Sequence, residues 1–259
     1  MAATTSAPAL PREEGFFLNW AIVMAAIVVA GFSFHLAMGR STFASPPLVH
    51  AHAIVFMGWV VLFLLQNIFV ATGRMDLHRR LGWLATVWVA AMIVLGCLVT
   101  AAMVRRGQVP FFFRPLQFLV LDPVTVFTFA GLTMAAVMLR KQTDWHRRLH
   151  TSAMVVLLGP AISRLLPSPL LTPWAWEAVV AACTVVLAVG AALDARRIGR
   201  FHPAWGWGFA AMVACLLVTE AITYSPAGAA LYAAVTAGSP GAAVSPLAFP
   251  APPGPPRRS

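Results

Sequence analysis

Long apolar runs constrain this sequence more than any other feature. A transmembrane helix needs about 20 consecutive, mostly apolar residues, and the chain supplies that length repeatedly between short polar stretches. Of its 259 residues, 60% are hydrophobic and 10% are charged, and the mean hydropathy is +0.81. Soluble globular domains lie well outside this composition. The sequence therefore predicts an all-α fold, a polytopic transmembrane helix bundle.

The apolar windows predict about seven spans in a single transmembrane domain, residues 1–238, with six and eight as the alternative counts. Pro123 and Pro160 fall inside predicted spans, where a proline kinks or breaks a helix. Residues 239–259 are rich in Pro, Gly and Ala and are predicted to form a disordered tail. The predicted spans are residues 16–38, 48–72, 81–104, 118–139, 149–166, 174–193 and 204–223.

The positions of the basic residues orient the chain. A net charge of +10 would suit a nucleic-acid-binding protein, but nearly all basic residues lie in short loops, so the bilayer and not nucleic acid is the predicted partner. With seven spans, eleven of the 18 Lys and Arg residues lie on the side of the N-terminus. The positive-inside rule then predicts a bacterial inner-membrane protein with a cytoplasmic N-terminus and an external C-terminus.

A hexapeptide motif occurs twice in the chain. Residues 76–81, DLHRRL, recur 68 positions later as residues 144–149, DWHRRL. One copy precedes the third span and the other the fifth, so both copies lie at the same membrane face. Spans two–three and four–five are therefore predicted to be parallel copies of one hairpin, which together form a duplicated central four-helix core.

A structural role explains part of this motif. Asp76 and Asp144 can cap the amides at the start of a helix, and the two arginines that follow can extend to anionic headgroups. Neither role requires a histidine, yet a histidine occupies the third position of both copies. Ionisable groups near bilayer depth are often functional, so these histidines are the first candidates for a site.

Three histidines are predicted to meet at the motif. His146 and His150 are one helical turn apart and share a face of their helix, and His78 lies at the same membrane level. Imidazoles from facing helices can bind a transition metal such as Zn or ligate a haem iron axially. We predict a site for haem b or, as the less favoured cofactor, Zn or another transition metal. A solvated histidine pair is the alternative.

A second polar group is predicted at the opposite face. His50 and His52 open the second span, and residues two apart in a helix point in nearly opposite directions, so only one of them faces inward as a cofactor ligand. Charges at bilayer depth pair inside a bundle. Asp122 or Glu177 is therefore predicted to form a structural ion pair with Arg164.

The order of the histidine motifs supports a resemblance. Residues 49–53 (VHAHA), 77–82 (LHRRLG) and 146–150 (HRRLH) resemble a widespread group of uncharacterised bacterial multi-pass membrane proteins that show F-H-x-H-G, L-H-R-R-L-G and H-[KR]-R-L-M in this order. Ala53 and His150 depart from that pattern. The resemblance implies no activity. The core is also similar in architecture to cytochrome b561-like proteins, which hold two haems between histidine pairs near opposite faces, and this similarity implies haem as a cofactor.

Three functions fit the sequence. The first is a haem- or metal-binding redox protein that uses the histidines at the helix ends. The second is a non-enzymatic accessory subunit, with a membrane-protein partner or a second copy, or a small-solute permease. The third is a metal-dependent membrane hydrolase. A retinal protein is excluded because the single lysine, Lys141, lies in a loop and not within the last helix.

Overall fold

The computed structural model describes residues 12–252 of the chain, with side chains from residue 15 onward. Over this range it contains nine α-helices and no β-strand, so the all-α prediction is confirmed. Six of these described helices, α1–α4, α7 and α8, are long and apolar enough to cross a membrane. The remaining part of the predicted tail, residues 253–259, lies outside the described residues. The helices are α1 (Arg12–Ala37), α2 (Pro47–Ala71), α3 (Met75–Arg105), α4 (Pro115–Met138), α5 (Thr143–Val156), α6 (Gly159–Leu165), α7 (Ala175–Ile198), α8 (Pro203–Thr223) and α9 (Pro226–Thr236).

The predicted fifth span is broken into α5 and α6. Helix α5 ends at Val156 and helix α6 begins at Gly159, immediately before Pro160. A proline ring clashes with the carbonyl four residues earlier and donates no amide hydrogen bond, so a break at this point is expected. Pro123 does not break its helix, because α4 continues through it from Pro115 to Met138.

Helices α5 and α6 together run beside the whole of α1. Near the start of α5, the Arg147 guanidinium lies 5.0 Å from the ring centre of Phe17, and near the end of α6 the Arg164 guanidinium lies 4.3 Å from that of Phe32. The two phenylalanines are 15 positions apart in the sequence, which corresponds to roughly 22 Å of helix. The α5–α6 pair therefore forms a seventh membrane crossing, which is interrupted and runs parallel to α1. The other six crossings are the continuous helices α1–α4, α7 and α8.

Both copies of the hexapeptide motif lie inside helices. Helix α3 begins at Met75 and not at residue 81, and helix α5 begins at Thr143 and not at residue 149. Charged residues lower the hydropathy of a window, although they are compatible with the first turns of a helix that extends beyond the hydrocarbon. We call the end of the bundle that carries both copies the motif end, and the opposite end the far end.

Five crossings form a closed ring. Helices α1, α2, α3 and α4 each pack against the next in chain order, and the α5–α6 pair packs against α4 on one side and α1 on the other. Within residues 12–252 no extended packing joins helices across this ring. The ring therefore encloses a shared interior, where side chains such as Trp59 of α2 and Phe129 of α4 meet edge to face at 4.9 Å. The predicted four-helix unit α2–α5 is present, and α1 closes it.

The remaining helices cover the ring from outside. Helix α8 packs against α4 and α5, and helix α7 packs against α5, α6 and α8. Helix α9 lies at the far end, against α3, α4 and α8. The half of the ring formed by α2 and α3 has no such cover from the other described spans.

Residues 239–252, which belong to the predicted disordered tail, contact the helix bundle. The Tyr232 hydroxyl donates to the carbonyl of Gly241 at 3.1 Å, and the Leu116 amide donates to the carbonyl of Pro246 at 2.9 Å. The composition of the segment predicts that it cannot bury a core of its own. The segment does not need a core of its own, because its backbone carbonyls accept hydrogen bonds from the helix bundle.

The contact between α1 and α6 provides a test of the broken crossing. A Cβ added at Gly31 would overlap the carbonyl oxygen of Ala161, whereas a Cβ added at Gly131 of α4 meets nothing within 4 Å. Gly31→Ala is expected to lower the free energy of unfolding by about 1–3 kcal/mol because two backbones must separate. Gly131→Ala, the matched control, is expected to be neutral or to stabilise by up to about 1 kcal/mol. Thermal unfolding in detergent measures both, and equal midpoints for the two variants would contradict the α1–α6 packing.

Candidate functional site

Three histidines meet inside the ring at the motif end. His78 lies on α3, and His146 and His150 lie on α5. The ring centres of His78 and His146 are 6.2 Å apart, and those of His146 and His150 are 4.8 Å apart. The structure thus brings together the three residues that the repeat and the one-turn spacing single out. Their role as cofactor ligands stays a prediction.

Hydrogen bonding orients one of these rings. The Nδ1 atom of His146 lies 2.8 Å from the carbonyl oxygen of Ala136, at the end of α4. A carbonyl only accepts, so Nδ1 carries the proton and the Nε2 lone pair is left for another partner. The Nδ1 atom of His78 is buried with no hydrogen-bond partner, as is Oε1 of Gln66 on α2. Buried polar atoms without partners are uncommon in native structures.

The donor set of this cluster is small. Among the described residues, no three His, Cys, Asp or Glu side chains are arranged to hold a metal ion. A bare zinc ion takes three or four protein ligands. The cluster therefore offers pairs of imidazoles and not a three-donor cage.

The far end places one of its two histidines inside the ring. The Nε2 atom of His50 lies 3.1 Å from the carbonyl oxygen of Phe43, in the loop before α2. The ring of His52 stacks on that of Phe56 with centres 4.1 Å apart, and its Nδ1 atom is buried without a hydrogen-bond partner. Arg164 of α6 lies within electrostatic range of His52. The two side chains point in different directions, as helical periodicity predicts, and they are not placed to bind one cofactor together.

Arg164 makes no salt bridge with Asp122 or Glu177, although Asp122 acts on it electrostatically from a longer distance. Asp122 accepts a hydrogen bond from the Thr100 hydroxyl at 3.1 Å, and no carboxylate among the described side chains lies within 4 Å of the Arg164 guanidinium. Arg164 instead donates to the carbonyl of Pro160 at 2.5 Å and covers Phe32. Arg164 and Asp122 therefore interact electrostatically without a direct contact, and a structural ion pair between them stays a prediction.

Glu177 lies in a different group from Arg164. It opens α7 near Glu220 of α8 and Arg114, and its Oε2 atom is buried without a hydrogen-bond partner. Glu220 accepts a hydrogen bond from the Gln117 amide at 2.9 Å. Placing Glu177 at the same membrane level as Arg164 and Asp122 was not enough to pair these residues, because α7 packs outside the ring whereas Asp122 lies between α3 and α4.

A buried charge network joins α5 to the outer helices. The Arg148 guanidinium donates to both carboxylate oxygens of Asp194 on α7, at 2.6 and 3.3 Å. Asp194 also accepts from Trp205 Nε1 at 2.9 Å and from Arg197 at 2.5 Å. Arg148 and Asp194 are at most 1% exposed. The sequence prediction did not single out Asp194, although an acidic residue at the end of an apolar span signals a buried partner.

The two copies of the motif give a matched pair for testing this network. Arg148 is buried against Asp194, whereas Arg80, its equivalent in the first copy, is exposed and makes no ion pair among the described side chains. Arg148→Ala leaves a carboxylate buried and underpaired, so it is expected to lower the free energy of unfolding by about 3–5 kcal/mol. Arg80→Ala is expected to change it by less than about 0.5 kcal/mol. Circular dichroism during heating in detergent measures both, and similar losses in the two variants would show that the ion pair is not what stabilises α5.

Comparisons with known proteins do not indicate a function, so the functional proposal rests on the geometry described above. No family model matches the chain, and neither a curated protein nor a solved structure matches it.

Proposed function

We propose that this protein is a membrane haem protein in which His78 and His146 ligate the iron at the motif end of the helix ring. The observation that carries the proposal is the 6.2 Å separation of their ring centres. Metal–imidazole bonds are about 2.0–2.1 Å long, so two imidazoles that would hold the same metal have ring centres at most about 6.4 Å apart. Nearly the same separation joins His78 and His146 across the ring.

The number of donors favours a haem over a bare ion. A haem brings four nitrogens of its own and needs only one or two ligands from the protein. A bare transition metal in this cluster would need three or four, and no such group occurs among the described residues. The same count argues against the metal-dependent hydrolase, because a hydrolytic zinc needs three protein ligands and an open position for water.

The packing of the helices leaves the two ligands facing each other. Helix α3 packs against α2 and α4, and helix α5 packs against α4, α8, α7 and α1, but α3 and α5 do not pack along each other within the described chain. His78 and His146 therefore approach across the ring interior and not through a tight helix contact. The unpartnered Nδ1 of His78 and Oε1 of Gln66 are the buried polar atoms that a bound group would lie beside.

The surrounding residues prepare His146 for ligation. Its Nδ1–H group donates to the Ala136 carbonyl, which fixes the tautomer and the ring orientation and raises the basicity of Nε2. The ring of His150 stands at 83° to that of His146 with centres 4.8 Å apart, and it supports His146 from the next turn of α5. When bound, a haem supplies reversible one-electron transfer. The side chains of α3 and α5 hold it in place at the motif end.

Absorption spectra of the purified full-length protein test the proposal. The protein, produced in haem-supplemented cells and purified in detergent, is expected to show a Soret band and about one haem per chain. His78→Ala and His146→Ala are each expected to remove the band or reduce it several-fold, because each removes one of the two side chains that would hold the haem. His50→Ala is the matched control and is expected to keep the band, since His50 lies at the far end against the Phe43 carbonyl.

Three outcomes would overturn the proposal. A monodisperse, folded but colourless wild-type protein would contradict it and favour an accessory subunit or a solute permease. A band that survives in both His78→Ala and His146→Ala would place the haem elsewhere. Metal analysis that finds stoichiometric zinc without haem would favour the bare-metal alternative.

A further inference from the structure

A cavity of about 590 Å³ opens at the motif end, outside the helix ring. It lies between the start of α5 and the short connection from α7 to α8, and none of the three clustered histidines lines it. It is therefore separate from the site proposed for haem. The lining residues that matter here are Thr143, Asp144, Trp145, Arg147, Arg200 and His202.

His202 provides a donor that has no acceptor among the described residues. The side chain is 6% exposed, and its Nδ1 atom accepts a hydrogen bond from the Ala204 amide at 3.2 Å. Burial, followed by the nearby Arg148 guanidinium, lowers the pKa of His202, which keeps the imidazole neutral. In a neutral imidazole whose Nδ1 accepts, Nε2 carries the proton. No acceptor among the described residues meets that N–H group.

The charges that line the cavity leave one arginine without a carboxylate. Asp144 is held by Arg147 in a salt bridge and lies 3.3 Å from Arg148, so two guanidinium groups offset its negative charge. Arg200 is exposed and has no ion-pair partner among the described side chains. The cavity thus presents a cation that nothing in the described chain neutralises.

The start of α5 adds two backbone donors. The amides of Trp145 and His146 both donate to the Gln142 carbonyl, and Gln142 makes no side-chain cap. The amides of Thr143 and Asp144 have no acceptor within the described residues. Free amides at the first turn of a helix, together with its dipole, favour an anion.

We propose that this cavity binds a phosphate group, carried either by an anionic lipid headgroup or by a soluble phosphate compound. The His202 Nε2–H group, the Arg200 guanidinium and the free amides of α5 are the donors, and together they suit an anion with several acceptor oxygens. Trp145 lines the same cavity, and tryptophan is enriched at the headgroup level of membrane proteins. The binding site is independent of the haem proposal, because it shares none of the proposed ligands.

Native mass spectrometry of the detergent-purified full-length protein provides the test, with two probes in separate arms. One arm titrates phosphatidylglycerol against diacylglycerol, which has no phosphate, and the other titrates inorganic phosphate against chloride at equal ionic strength. The wild-type protein is expected to prefer one phosphate probe over its reference lipid or salt. Arg200→Gln is expected to weaken that binding about tenfold or more, because a charge-assisted contact is lost.

Two further variants distinguish binding in the cavity from nonspecific attraction to surface charge. Arg196→Gln removes an exposed arginine of α7 that does not line the cavity, and binding is expected to stay within about twofold of wild type. Thr143→Pro removes one free amide at a helix position that accepts proline, so the fold is kept and binding is expected to weaken. Equal losses in Arg200→Gln and Arg196→Gln, or no preference for either phosphate probe, would overturn the proposal. A preference confined to the lipid arm identifies a headgroup site, and one confined to inorganic phosphate identifies a soluble ligand.

Discussion

The hydrocarbon of a bilayer offers no hydrogen bonds, and this constraint determines where the polar side chains of this chain lie. A polar group on a span must find a partner within the bundle or reach one of its ends. In this protein the interior of the ring formed by α1–α6 holds polar groups that partner within the bundle. His78, His146 and His150 meet at one end of this interior. Near the other end, Asp122 accepts a hydrogen bond from Thr100. The ring is closed by neighbour contacts alone, which leaves the interior for side chains.

The two copies of the hexapeptide differ in their neighbours more than in their sequence. Following Arg148 along α5, Thr151, Ser152 and Val155 are at most 4% exposed, and Ser152 packs directly against Gly208 of α8. The equivalent residues of α3 are Trp83, Leu84 and Val87, which are 51–70% exposed. Small residues allow close helix packing in membranes, and large apolar ones suit lipid. The helix that carries the second copy of the motif thus packs against α7–α8, whereas the helix that carries the first presents large apolar side chains at these positions.

The sequence predicted the features that repeat or persist over a whole span. Hydropathy identified the crossings, and the hexapeptide located three histidines at one end, because both signals depend on local pattern. Pairing across helices was not predictable in the same way. Arg164 was expected to meet Asp122 or Glu177, but it donates to the carbonyl of Pro160 one turn earlier in its own helix, and Asp122 lies beyond salt-bridge distance. Asp194 was overlooked because its partner, Arg148, is 46 residues away and belongs to a motif already explained by capping and headgroup contacts.

Helix α5 connects the buried ion pair to the histidine cluster. Arg148 is two residues from both His146 and His150, so it points about 200° away from them around the helix. The pairing of Arg148 with Asp194 fixes the rotation of α5 against α7 and α8, and that rotation directs both imidazoles into the ring. In α3 the same spacing directs His78 inward and Arg80 outward, although no carboxylate among the described side chains holds Arg80. The position of His78 therefore depends on the packing of α3 between α2 and α4, whereas that of His146 is also held by an ion pair and by the Ala136 carbonyl.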